Sequence, residues 1–141
     1  MTSEAGAAAN VPSLDGTERC PCGSGDVFGS CCGPLLDGVR PAPTAERLMR
    51  SRYTAFVRRD TAYLRETWHP TTRPAEVETD LALLWRRLVV LDRVDGGPFD
   101  DRGVVEFQAH WVEGGQRGVL HERSRFVRDG RRWFYVDGEV R

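Results

Sequence analysis

The sequence predicts an α+β protein, with helices packed on one face of an antiparallel sheet and a cysteine-rich segment in front of them. Three observations support this prediction. Apolar residues recur at helical spacing over residues 44–68, and they alternate with polar residues after residue 83. All four cysteines fall within residues 20–32. Helices followed by a run of strands usually form two packed layers around one core.

The order of the segments follows from composition. The first residues are rich in Ala, Gly, Ser and Pro, and they lack the basic start and apolar run of a signal peptide. Pro34, Pro41 and Pro43 block a continuous helix and favour an extended connector between the cysteines and the rest. The predicted segments are a disordered tail (1–18), a cysteine knuckle (19–34), a linker (35–41) and a larger domain (42–141).

Two helices are predicted at the start of the larger domain. Thr44 can cap the first helix, and a second, shorter helix starts at Asp60 or Thr61, runs through Trp68 and stops at Pro70. Helices this close along the chain should form an antiparallel pair. The apolar residues of the first helix follow the spacing of one buried stripe: Ala45, Leu48, Met49, Tyr53, Phe56 and Val57.

Four strands are predicted after the helices. The second strand alternates most clearly, and its apolar face carries Val105, Phe107, Ala109 and Trp111. Gly114-Gly115 is predicted to turn the chain, and Asp129-Gly130 is a strong signal for a two-residue hairpin turn. The predicted strands cover residues 83–94, 103–112, 119–128 and 131–136.

The four cysteines predict a metal site with Cys20, Cys22, Cys31 and Cys32 as ligands. Zn²⁺ prefers four sulfur ligands at such spacings, and a zinc–thiolate site can order a segment too short to fold on its own. Four thiolates leave no open coordination position, so the predicted zinc is structural and not catalytic. Clustered thiols of this kind belong to a reducing compartment, and we therefore expect a cytoplasmic protein. A disulfide pair and four idle thiols are the alternatives.

The charge balance argues against nucleic acid as a partner, and the lack of a long apolar run argues against a membrane span. The chain has 20 basic and 21 acidic residues and a net charge of -1, with no basic stripe, so nucleic acid is not an expected partner. No segment approaches the roughly 18 apolar residues of a membrane span.

The cysteine segment resembles a known motif. Cys-Pro-Cys-Gly-Ser-Gly, then Phe28 and Cys-Cys-Gly, is similar to the SEC-C motif, the zinc tail of the bacterial protein-translocation motor ATPase. That tail contacts a secretion chaperone and the ribosome, so the resemblance implies a protein partner at the knuckle. SEC-C loops commonly carry lysines where this loop has Asp26, Gly29 and Ser30. The acidic loop makes contact with RNA or with an acidic chaperone less expected here.

The resemblance extends over residues 19–138. The stretches that carry it are Pro43 to Phe56, Thr67-Trp-His-Pro70, His121 to Phe126 and Trp133 to Gly138. Together they resemble an uncharacterised bacterial family that joins an SEC-C knuckle to a domain similar to nuclear transport factor 2 (NTF2). The implied fold is a cone of curved sheet around helices, whose interior can hold a ligand. Cone-shaped domains of this type often pair through their sheets, so a homodimer is a further expectation.

A candidate pocket follows from the hairpin prediction. If Asp129-Gly130 is the turn, Glu122 faces Asp137 across the last two strands, and Arg50 or Arg52 is expected between the two carboxylates. The alternative is an internal polar network that fixes the sheet against the helix. The candidate pocket residues are Tyr53, Trp68, Glu122, Ser124, Trp133, Tyr135 and Asp137.

Three hypotheses for function remain open at this point. The first is a non-enzymatic adaptor that docks through the knuckle, and the second is a small-molecule-binding protein or enzyme that uses the cone interior. The third is a purely structural knuckle that staples the N-terminus to the domain. No catalytic residue is predicted, because no nucleophile motif or phosphate loop is present. Loss of the metal is expected to affect residues 19–34 and to leave the larger domain folded.

Overall fold

The computed structural model describes residues 14–141. The predicted tail therefore lies outside the described residues as far as residue 13. Its described end packs on the knuckle: the backbone N–H of Phe28 donates to Glu18 O at 2.7 Å, and that of Gly29 donates to Gly16 O at 2.9 Å.

The architecture is α+β, as predicted. Four antiparallel strands lie side by side in chain order, so β1 and β4 form the two edges of the sheet. The helices are α1 (Gly33–Leu36), α2 (Ala45–Arg58) and α3 (Thr61–Glu66), with a 3-10 turn at Phe28–Ser30. The strands are β1 (Leu84–Asp95), β2 (Arg102–Glu113), β3 (Gln116–Asp129) and β4 (Arg132–Val140).

Helix α2 starts where its cap was predicted, because the Thr44 hydroxyl accepts a hydrogen bond from the Arg47 backbone N–H at 3.1 Å. The predicted apolar stripe packs toward the sheet. A second side of α2, carrying Ser51, Thr54 and Ala55, is also fully buried. Small side chains at this spacing allow the neighbouring elements to approach closely, so α2 is covered on both sides.

The predicted extended linker is wrong at its start. Gly33–Leu36 form a helical turn, with Pro34 in the first turn, where its missing N–H costs no hydrogen bond. This turn buries Leu35, which is 4% exposed, against the main core. Burial of that one leucine fixes the chain between the knuckle and the larger domain.

The second predicted helix is too long. Helix α3 ends at Glu66, and Trp68 instead forms a parallel bridge with Tyr135 of β4. The His69 N–H donates to Tyr135 O and the Tyr135 N–H donates to Thr67 O, both at 2.8 Å. Residues 67–69 thus act as a short additional strand along the outer edge of β4.

The register predicted for the last hairpin is also wrong. Asp129 pairs with Arg132, so the turn residues are Gly130 and Arg131, and Phe126 faces Tyr135. Gly130 has φ +65°, whereas Arg131 has no positive φ. A two-residue hairpin turn whose first residue is glycine fits these φ angles. The sequence instead suggested a turn formed by Asp129 and Gly130.

A bulge at Val136 reverses the orientation of the residues after it. Arg125 pairs with Asp137 while Phe126 pairs with Tyr135, which leaves Val136 as an extra residue in β4. The Thr72 hydroxyl donates to Val136 O at 2.6 Å and satisfies the carbonyl at the bulge. Asp137 is consequently on the outer face of the sheet.

Candidate metal centre and cavity

The four cysteines converge as a metal site requires. Their sulfurs all lie within 4.8 Å of one another, and every one of the four residues is buried. The Cys22 and Cys31 sulfurs are 3.6 Å apart. A tetrahedral zinc site with Zn–S bonds of about 2.3 Å has sulfurs about 3.8 Å apart, whereas a disulfide requires about 2.05 Å. The geometry therefore suits one shared cation, and all four cysteines are free of disulfides.

Polar groups surround the sulfurs. The Ser24 hydroxyl lies 3.0 Å from the Cys31 sulfur, and the Thr54 hydroxyl donates to the Cys32 sulfur at 3.4 Å. Arg47 donates to the Cys31 sulfur through Nη1 at 3.2 Å. A divalent cation with four thiolates carries a net charge of about -2, so a guanidinium in contact with sulfur compensates part of it.

The four thiols are close enough to interact with one another directly. A hydrogen bond from Cys20 lowers the pKa of the Cys22 thiol, whereas hydrogen bonds involving Cys20 and Cys22, together with burial, raise the pKa of the Cys32 thiol. Four thiolates at these distances would repel one another, and a bound divalent cation would stabilise all four together.

The knuckle is part of the main core. Phe28 is 7% exposed, and the knuckle cysteines belong to the same buried cluster as Leu48, Met49 and Tyr53 of α2. The Arg58 guanidinium lies 5.5 Å from the centre of the Phe28 ring. The knuckle is therefore docked on α2, and its aromatic side chain is not available at the surface.

A cavity of about 280 Å³ lies between α2 and the face of the sheet that packs on it. Seven of its lining side chains are aromatic and two are charged, Arg52 and Glu122. The wall formed by α2 consists of Met49, Arg52, Tyr53 and Phe56. The other lining residues are Trp68, Trp85, Phe107, Ala109, Leu120, Glu122, Ser124, Phe126 and Tyr135.

The aromatic walls of the cavity are held by edge-to-face contacts. Trp85 contacts both Tyr53 and Phe56, with ring centres 6.3 and 6.1 Å apart. Tyr135 contacts Trp68 at 5.1 Å and Phe126 at 5.8 Å. Such contacts fix ring orientations, so the shape of the cavity is built into the fold.

The polar side of the cavity is organised around Glu122. Its Oε2 accepts hydrogen bonds from the Ser124 hydroxyl at 2.6 Å and from the Tyr135 hydroxyl at 3.2 Å. Gly138 permits this position, because a Cβ at that residue would overlap the Glu122 carboxylate. Burial is the main cause that raises the pKa of the Tyr135 hydroxyl, and the Glu122 charge adds to it, so Tyr135 remains a donor.

Comparison with known families matches both parts of the chain. The profile described as YchJ, middle NTF2-like domain, matches residues 44–138, and the SEC-C motif profile matches residues 17–34. A UPF0225 protein of Streptomyces avermitilis is 52% identical over 120 residues, which cover 85% of this chain and 83% of that protein. This chain belongs to the UPF0225 family. The resemblance described from the sequence is thereby confirmed.

Other UPF0225 proteins and solved structures agree. The protein Cgl1438/cg1626 of Corynebacterium glutamicum is 46% identical over an aligned region that covers 87% of this chain and 98% of that protein. The solution structure of RPA3114, a SEC-C motif-containing protein from Rhodopseudomonas palustris, has a TM-score of 0.75 at 37% identity, covering 86% of this chain and 98% of its own. A crystal structure of a SEC-C motif protein from Psychrobacter arcticus has a TM-score of 0.71 at 25% identity. The match covers 89% of this chain and 84% of that chain.

The structure brings together five of the seven candidate pocket residues of this UPF0225 chain. They are Tyr53, Trp68, Glu122, Ser124 and Tyr135. Asp137 is not among them, because the bulge turns it outward into a two-point ion pair with Arg125 at 2.7 and 2.6 Å. Trp133 is buried elsewhere: its indole N–H donates to Pro43 O at 3.3 Å, beneath the linker.

The predicted role of the arginines requires correction. Neither lies between two carboxylates: Arg50 pairs with Glu46 on its own helix at 2.9 Å, and Arg52 faces the cavity. Sequence reasoning also missed Ser24, Arg47 and Thr54 as neighbours of the sulfurs. For Arg47 and Thr54 the sequence offered one indication of these contacts: the side of α2 opposite the apolar stripe carries small and cationic residues.

The contact between Arg47 and Cys31 leads to a prediction. Arg47→Met is expected to weaken binding of Zn²⁺ about tenfold, because it removes a charge-assisted hydrogen bond to a ligand sulfur. Competition with a chromogenic chelator measures this affinity. Arg40→Met is the matched control, since Arg40 is an exposed cation in the same cleft. Equal zinc affinities for the two variants would contradict the prediction.

No helix within residues 14–141 is long and apolar enough to cross a membrane.

Proposed function

We propose that this protein is a binding module whose cavity takes a small, mainly apolar molecule, while a structural Zn²⁺ holds the knuckle on α2. One observation carries the proposal: the aromatic cavity of about 280 Å³ with only a few convergent polar groups. Ligand sites have this composition, and their volumes start at roughly 300 Å³. The ligand is therefore compact.

The proposed identity of the metal rests on its ligands. Four buried cysteine sulfurs within 4.8 Å of one another are the usual ligand set of structural zinc, and four thiolates would leave no position for water or substrate. Cys20, Cys22, Cys31 and Cys32 would hold the ion, and it would supply cross-linking but no chemistry. Reduced thiolates are required, which supports a cytoplasmic location.

The packing of the knuckle favours this role over a freely moving adaptor. Phe28, the side chain that an adaptor would present, is 7% exposed, and Leu35 anchors the linker in the core. The polar side chains of the cavity that could act as acid or base, Glu122, Ser124 and Tyr135, are hydrogen-bonded to one another, which supports a binding role better than an enzymatic one.

The cavity is tested with benzyl alcohol as a neutral aromatic probe. We expect saturable shifts of the Trp68 and Trp85 indole N–H signals in NMR titrations, because both rings line the cavity. Ala109→Phe should abolish these shifts by filling the space that Ala109 leaves. Val119→Phe, at an exposed position of the neighbouring strand, should retain them. Absence of indole shifts in the unsubstituted protein would refute the proposal.

Docking of a protein on the knuckle is the second candidate. It is favoured by the exposed loop of residues 23–27, where the apolar Val27 is 38% exposed. A pull-down from the native cytoplasm, compared with a Val27→Ser variant, tests it. A homodimer through the sheet also stays a prediction, and sedimentation velocity over a range of concentrations tests that.

A further inference from the structure

The most unusual group at the cavity is a buried arginine. Arg52 is 6% exposed, although guanidinium groups are rarely removed from water. Its Nη1 donates to Leu64 O at 2.8 Å and to the Thr67 hydroxyl at 2.7 Å. These two bonds place the guanidinium at the cavity wall, and within the described residues they are its only hydrogen bonds. Nε and Nη2 retain their donor capacity.

Aromatic rings hold the guanidinium in place. Its central carbon lies 4.6 Å from the centre of the Tyr135 ring and 5.3 Å from that of Trp68. Cation–π contacts stabilise a cation in such a site without neutralising its charge. The position of Arg52 is therefore rigid, and its charge remains available to a ligand.

No carboxylate within residues 14–141 lies at ion-pair distance from Arg52. Glu122 lines the same cavity, but its Oε2 is occupied by the Ser124 and Tyr135 hydroxyls. Burial lowers the pKa of Arg52 to about 10, so the side chain is still charged at neutral pH. The Glu122 carboxylate opposes the effect of burial without cancelling it, and an anion at the cavity wall would offset the remaining cost of the buried charge.

A second donor, on a residue that lines the cavity, has no acceptor within the described residues. The indole Nε1 of Trp68 is buried and makes no hydrogen bond within the described part of the chain. Buried donors without acceptors are rare in folded proteins, and each one requires an explanation. Trp68 stacks with Arg52, so two groups that can only donate hydrogen bonds lie side by side in one wall.

We propose that the ligand is a compact organic acid with one carboxylate and an apolar, preferably aromatic, body. This inference rests on the proposed function of the cavity. The carboxylate accepts hydrogen bonds from Arg52, and a rotation of the Trp68 ring would bring its buried indole N–H to the same carboxylate. The body packs among the aromatic side chains. Glu122 would repel a second negative charge, so the site selects monocarboxylates over dicarboxylates.

Three probes of nearly equal size test the charge preference: benzoate, benzyl alcohol and benzylamine, each titrated by NMR. We expect benzoate to bind at least about tenfold more tightly than benzyl alcohol, since hydrogen bonds between charged groups exceed neutral ones by this factor. Benzylamine should bind most weakly. If benzyl alcohol or benzylamine binds as tightly as benzoate, the carboxylate proposal is wrong while the cavity remains a binding site. If none of the three binds, the proposed function itself fails.

Three variants test which residues cause the preference for benzoate. Arg52→Met should reduce the preference for benzoate to less than about threefold, and Trp68→Phe should weaken benzoate about fivefold by removing one donor. Glu122→Gln should strengthen benzoate and weaken benzylamine, because it removes the competing charge. Trp68→Phe and Glu122→Gln keep the test decisive if Arg52→Met does not fold. Unchanged preferences in both would contradict the assignment.

Discussion

Removal of the proposed Zn²⁺ by a chelator, or the substitution Cys22→Ser, is expected to lower the free energy of unfolding of the whole chain by at least about 4 kcal/mol. The reason is the shared core, because Cys22 is fully buried and the knuckle covers one side of α2. Loss of the cross-link would expose Thr54, whose hydroxyl contacts the Cys20 and Cys32 sulfurs. Thermal unfolding followed by tryptophan fluorescence should show a midpoint lower by roughly 15 °C.

The control for this prediction is Ser30→Ala, an exposed residue of the same segment that provides no ligand. Its unfolding midpoint should be unchanged. Hydrogen exchange distinguishes a knuckle that shares the main core from one that folds as an independent unit. If chelation increases exchange only in residues 19–34 and leaves α2 and the sheet protected, the knuckle is an independent unit, as the sequence alone suggests, and our description is wrong.

The second large effect is expected at a close contact between helix and sheet. Gly103→Val should destabilise the protein by at least about 3 kcal/mol, because there is no space for a side chain at this position. A Cβ on Gly103 would lie 2.5 Å from the Gly96 Cα and 3.0 Å from the Ala45 Cβ. Both obstacles are fixed, since the Ala45 N–H donates to Gly96 O at 2.9 Å. Urea unfolding measures the change.

Gly97→Ala is the matched control for that substitution. Gly97 lies in the adjacent β1–β2 connection, has no positive φ, and a Cβ there would meet its nearest neighbour at an ordinary 3.4 Å. Its cost should stay within about 0.5 kcal/mol. Equal urea midpoints for the two variants would mean that the start of α2 is not tightly docked on the hairpin.

Much of the fold was predictable because its signals are local. The Thr44 cap, the apolar stripe of α2 and the alternation of β2 each depend on neighbours in the sequence, and the structure confirms all three. The second buried side of α2 was not predictable. Ser51, Thr54 and Ala55 have no hydrophobic pattern. Ser51 contacts Tyr63 of α3 and Thr54 contacts the Cys32 sulfur, and no local pattern indicates either contact.

The candidate site was predictable only in part, because its details depend on contacts between distant residues. Glu122 and Ser124 follow from strand alternation and do line the cavity. The outward turn of Asp137 depends on the bulge at Val136, whose carbonyl is bonded by Thr72, 64 residues earlier. The position of Arg52 depends likewise on the carbonyl of Leu64 and on the ring of Tyr135. No local pattern reports such pairings.

The pairing of residues 67–69 with Tyr135 has a consequence for the behaviour of the protein at high concentration. Unpaired strand edges act as templates on which other chains can add, and this is a common route to fibrils. Here the short segment occupies part of one margin of the sheet, and irregularities near Arg86 and Leu91 interrupt the opposite margin. Both features are expected to hinder the strand-by-strand stacking from which insoluble aggregates grow.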